Sequence, residues 1–142
     1  MAPPSIPSDD QSGASGIEFG LIVSMLMILL LGVLSGWSLL DNYMRMRAAV
    51  AAGENYLLQG GTSDTVTASI ATDAWKYRPQ SASVSVTKSC SCANAASACD
   101  ALCAGTSSLP NMNFSIVVSS IWTDRFTSVS VPISIQASVR VR

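Results

Sequence analysis

The sequence predicts an α+β protein: one long N-terminal α-helix, half membrane-apolar and half amphipathic, packed against a small antiparallel β-sheet head. Three observations carry this expectation. Residues 19–40 are a run of 22 with no Asp, Glu, Lys, Arg or His. Beyond that run, Tyr43, Met46, Val50, Gly53 and Leu57 recur at steps of three and four, with Arg45, Arg47 and Glu54 between them, as an amphipathic helix requires. Near the C-terminus the period shortens to two. Val129, Val131, Ile133, Ile135, Ala137, Val139 and Val141 alternate there with Ser130, Pro132, Ser134, Gln136, Ser138, Arg140 and Arg142, the pattern of a strand with one buried face.

The apolar run comes first. At about 1.5 Å per residue a helix of this length spans roughly 33 Å, which matches a hydrocarbon core of about 30 Å. Thirteen of its residues are Leu, Ile, Val or Phe, and together they favour insertion by roughly 4–8 kcal/mol. A buried helix of a soluble protein is shorter as a rule. A removable secretory signal has an apolar core of about 7–15 residues behind a positive stretch, whereas MAPPSIPSDDQSG carries Asp9 and Asp10 and neither Lys nor Arg. The expected division is therefore a leader at 1–13, a membrane helix at 14–40 and a soluble head at 41–142. Gly16 and Gly20, and Gly32 and Gly36, are spaced to let helices approach closely. Trp37 and Tyr43 suit an aromatic belt at the membrane surface.

In the head, the helix is expected to continue over 41–59 and to stop at Gly60-Gly61. A second helix is predicted over 64–76, capped by Ser63 or Asp64, with Val66, Ile70 and Ala74 on its inner face and Pro79 beyond its end. Strands follow at 83–88, 114–121 and 128–141. Pro132 lacks an amide proton, so its strand belongs at an edge or carries a bulge there. Trp75 and Trp122 are expected in the head core.

All four cysteines, Cys90, Cys92, Cys99 and Cys103, fall in one loop at 89–104. A structural zinc site favours paired Cys-x-x-Cys arms, and the spacing here is different. Disulfides require an oxidising compartment, and a small head with a thin core benefits from them. Spacing leaves two pairings open: Cys90–Cys99 with Cys92–Cys103, or Cys90–Cys103 with Cys92–Cys99. Pairing across one residue is strained. Each bridge closes a loop of about ten residues, worth on the order of 2–3 kcal/mol in the chain-entropy model.

Composition narrows the functional classes. The net charge is −1 and histidine is absent, so neither a basic face for nucleic acid nor an imidazole for acid–base work is available. Without a nucleophile motif either, no catalytic residues, metal site or cofactor are expected, and the chain is read as a non-enzyme.

The stretch GASGIEFGLIVSMLMILLLG resembles the class III signal of type IV pilin-like proteins, in its Tad/Flp pilus branch. The resemblance implies that a prepilin peptidase cuts between Gly13 and Ala14, leaving Glu18 at mature position five, followed by Phe19. A carboxylate there is favourable beside a new amine at a helix start, and in a filament it would meet the terminal amine of the next subunit. The head exceeds that of a major pilin. With VSVTKSCSC leading into the cysteine loop and ASVRVR at the end, the chain is similar to the TadE-like minor pilins.

That resemblance implies assembly or priming of a Tad-type pilus. Its implied partners are the prepilin peptidase, other Tad pilins, the inner-membrane assembly platform and the lipid bilayer. The implied location is the bacterial inner membrane, single pass, with the head in the periplasm or carried into the extracellular pilus. A count of Lys and Arg alone would hold the head inside, because Arg45 and Arg47 follow the span. Two other classes are compatible with the residues. One is an unprocessed single-span anchor presenting a small extracytoplasmic binding module. The other is a cytoplasm-facing metal or redox sensor using four thiolates.

Overall fold

The computed structural model describes residues 12–93 and 95–141, with side chains from Gly16 onward. Two helices and four strands follow in the order α1 (Ser12–Leu58), α2 (Asp64–Ala74), β1 (Ser83–Cys92), β2 (Ala95–Ala96), β3 (Asn111–Thr123) and β4 (Ser130–Arg140). The chain divides into two compact units, the first ending at Trp37 and the second, the head, running Ser38–Arg142.

The first unit is the N-terminal part of α1. Its apolar side chains are exposed; Phe19, Met25 and Trp37 are each at least 66 % exposed. Among the described residues α1 is the one helix long and apolar enough to cross a membrane. A Cβ added at Gly16, Gly20, Gly32 or Gly36 would meet nothing within 4 Å.

The head is built on the rest of α1. Met46, Ala49, Val50 and Leu57 are at most 5 % exposed and, with buried Gly53, form one stripe at the 3.6-residue period. Tyr43, expected in this stripe, stands largely outside it, and Ala49 takes a place in it. The stripe joins a core with alternate residues of β3, where Met112, Phe114, Ile116 and Val118 are at most 3 % exposed. Taking each large apolar side chain out of water is worth about 1.5–3 kcal/mol, so these two rows supply most of the head's hydrophobic stabilisation.

The sheet is antiparallel in the order β2-β1-β3-β4. The α+β class expected from the sequence is borne out in this form. β1 and β3 run further than their alternating apolar cores alone indicated, to Cys92 and back to Asn111, because their polar residues are paired as far as Ser91 and Asn111. β2 is a two-residue strand inside the expected cysteine loop, paired at Cys92 with Ala95. Pro132 lies on the outer strand, β4, opposite Ile121, where a missing amide proton is tolerated. At the other end of the expected alternation, Val129 falls outside β4, and Val129 and Val131 are 55 % and 40 % exposed. The inward row becomes covered from Ile133 onward.

α1 ends in a Schellman turn. The Gly61 amide donates to the Tyr56 carbonyl at 3.0 Å and the Gly60 amide to the Leu57 carbonyl at 3.1 Å. Gly60 has φ +94°, which glycine adopts without a side-chain penalty. Ser63 caps α2: its side chain accepts from the Val66 amide. The inner face of α2 differs from the expected one. Thr67 and Ala71 are buried, while Val66 is 41 % exposed. Gly53 explains the change, since a Cβ there would lie 3.3 Å from Thr67 Cγ2 and 3.7 Å from the Ala71 Cβ. The two helices meet across small groups, and the larger Val66 is turned outward.

Candidate functional site

Two features stand at opposite ends of the head's sheet. At one end β1, β2 and the following loop carry the cysteines. Cys90 bonds to Cys99 and Cys92 to Cys103, with Cα separations of 5.1 and 5.6 Å, inside the usual range for a disulfide. The strand explains the selection between the pairings left open by spacing. Cys90 faces inward, is 6 % exposed and belongs to the core, with Cys99 packed against that core. Cys92, on the same face but near the end of β1, is half-buried. The loop then turns back, with the Ser97 amide donating to the Cys90 carbonyl at 2.9 Å. No free thiol remains among these four residues.

At the other end α1 enters the head. Asn42 Nδ2 donates to Ser120 Oγ at 3.3 Å, and the Ser120 hydroxyl points at the Met46 sulfur at 3.5 Å. One step further along β3 on this face, Trp122 Nε1 donates to Ser38 Oγ at 3.0 Å. Trp122 is therefore half-buried and hydrogen-bonded at the rim instead of lying in the core, in contrast to Trp75, which is 2 % exposed. A groove of about 620 Å³ opens beside these residues, with Asp41, Arg45, Tyr77 and Arg125 on its walls. Arg45 is fixed there by Asp41 at 2.8 Å and stacks on the Tyr77 ring, 5.3 Å from its centroid.

Next to the groove, the β3–β4 connection is shaped by Asp124, which is 6 % exposed. Its carboxylate accepts from the Thr127 amide at 2.8 Å and the Thr127 hydroxyl at 2.6 Å. Its own amide donates to the Val129 carbonyl at 2.9 Å, and its carbonyl accepts from the Ser128 amide at 3.0 Å. This hairpin loop was not singled out in the sequence. The signal that could have found it is Asp124 followed three residues later by Thr127, a side-chain-closed turn between alternating runs.

The residues assigned to processing and assembly lie apart from both features along the chain. Gly13 and Ala14 are in the first turns of α1, where only the backbone is described; residues 1–11, the greater part of the expected leader, lie outside the described residues. Glu18 and Phe19 are exposed. Among the described residues no group of three or more His, Cys, Asp or Glu is placed to hold a metal ion. Compared with protein-family models, with curated proteins and with solved structures, the chain matches none.

Proposed function

We propose that this chain is a minor pilin-like subunit of a Tad-type pilus. In this reading α1 inserts in the inner membrane, a prepilin peptidase trims the chain after Gly13, and the head stands outside the cytoplasm. The observation that carries the reading is the pairing of all four cysteines in a small head built directly on the helix that begins as an uncharged run behind Glu18. Disulfides persist in oxidising compartments, which favours an extracytoplasmic head over the orientation that Arg45 and Arg47 alone would give. The helix supplies the anchor, the exposed glycines supply flat places for neighbouring helices, and the Glu18 carboxylate supplies the partner for a freed amine. The chain itself performs no catalysis in this role.

The test is co-expression with a prepilin peptidase, read by intact mass. The expected product lacks residues 1–13, and Gly13→Leu abolishes the loss. A full-length product beside an active peptidase would leave the chain an unprocessed anchor and overturn the pilin reading. A trimmed Glu18→Gln variant is expected to remain in the membrane and to be depleted from assembled fibres.

A further inference from the structure

We propose that heads of this chain dock head to tail, with Asp100, Ala101 and Leu102 of one copy seated in the groove at Arg45, Tyr77 and Arg125 of the next. The inference rests on the reading of the chain as a subunit and deepens it, by naming the head surfaces through which copies meet. The inserted knob is framed by the disulfides. Cys99 is tied to Cys90 and Cys103 to Cys92, so the three residues between Cys99 and Cys103 are held at both ends. All three are exposed, Leu102 at 62 %. Asp100 is the single charged residue in 89–123, and its carboxylate has no partner among the described residues. This end of the head therefore presents one carboxylate and one leucine on a fixed frame.

The groove supplies the complement. Arg45 and Arg125 line it together with one carboxylate, Asp41. Asp41 pairs with Arg45, whereas Arg125 is exposed and makes no ion pair among the described residues, so one positive charge is left uncompensated. Lys76 and Arg78, also exposed, flank Tyr77 in the chain. The Tyr77 ring is 90 % exposed on a backbone at φ +57°, a conformation that a bulky residue adopts only at a cost. Together with half-buried Trp122 it gives Leu102 an aromatic wall, while the Asp100 carboxylate accepts charge-assisted hydrogen bonds from the guanidinium groups.

β1 joins the two surfaces. Ser81, two residues before β1, lines the groove, and Cys92 ends the strand, so knob and groove lie roughly 34 Å apart along it. A contact between two different surfaces of the same head is heterologous. Repeated by shifts along β1, it gives an open row in which every head points the same way.

The test uses the full chain in detergent micelles, with photoreactive benzoylphenylalanine at position 101 or, as the control, at position 66, because Val66 is 41 % exposed on α2. From 101 the expected product is a ladder of covalent oligomers whose cross-linked peptides join residue 101 to 76–81 or 121–125; from 66 no such ladder is expected. Asp100→Arg and Arg125→Glu are each expected to lower the yield about ten-fold, and the two changes combined in one chain to restore most of it. Cross-links joining 101 to 101, adducts with detergent alone, equal ladders from 66 and 101, or a double variant no better than the single ones would each overturn the docking. Intact mass after co-expression with the prepilin peptidase is read on the same samples. Trimming without the ladder would overturn the docking and leave the pilin reading standing; the ladder without trimming would support the docking and overturn the pilin reading.

Discussion

Gly53 of α1 lies so close to Ile116 of β3 that a Cβ on the glycine would stand 3.0 Å from the isoleucine Cδ1. Helix, second helix and sheet converge at this point, and the side-chain sizes of three elements are set by it.

Gly53→Ala is expected to be near neutral. About 1 kcal/mol gained from helix propensity offsets an overpacking cost of about 1 kcal/mol. Gly53→Leu gains nearly the same propensity, but its three further carbons have no room between Ile116, Thr67 and Ala71, and it is expected to cost about 2 kcal/mol net. Thermal unfolding of the full chain in detergent, followed by near-ultraviolet circular dichroism, distinguishes the two.

The two disulfides close loops of similar length, with sequence separations of 9 and 11, so their chain-entropy terms are nearly equal at about 2–3 kcal/mol. Cys90 is in the core and Cys92 is half-buried. The double change Cys90→Ala with Cys99→Ala is therefore expected to destabilise the head by about 1 kcal/mol more than Cys92→Ala with Cys103→Ala. Under limiting reductant, alkylation should appear at Cys92 and Cys103 first. Peptide mapping of the unreduced chain should return the pairs described above.

Asp124→Ala removes the acceptor for both Thr127 donors and is expected to cost about 1.5–3 kcal/mol. Asp124→Asn keeps one acceptor oxygen and should lose less. Amide exchange at Thr127 is the direct readout, with faster exchange expected in the alanine variant.

Gly60→Ala forces a side chain into the left-handed region at φ +94° and is expected to lower the head's melting temperature, at a cost of about 1 kcal/mol. Ser63→Ala, which removes the α2 cap, should cost a similar amount.

Much of this architecture was legible because local signals agreed with the global fold. The uncharged run, the Gly60-Gly61 stop, the Ser63 cap and the edge position of Pro132 each follow from a rule about backbone or solvent that tertiary context does not reverse. Other features depended on neighbours that no local pattern contains. Val66, Ile70 and Ala74 have the spacing of an inner face, yet Thr67 and Ala71 occupy it because Gly53 brings the helices close. Val131 has the alternation of a core residue, yet it lies past the end of the core. Cysteine spacing admits two pairings, and the depth of Cys90 in the core, where Cys99 packs, goes with the pairing observed. The Trp122–Ser38 bond joins residues 84 positions apart, and nothing near either residue announces it. The assignment of Gly13, Ala14 and Glu18 to processing and assembly rests on the resemblance and awaits the mass experiment.

The row Met46, Ala49, Val50 and Leu57 makes α1 itself one wall of the head. Traction applied to the head's own part of α1 would thus arrive as shear across the helix–sheet seam, and many side chains would have to slide together before any could release. A fragment trimmed back to Gly61 would lose that wall and spill its interior into solvent, so any fragment that keeps the core must retain α1 from Met46 onward.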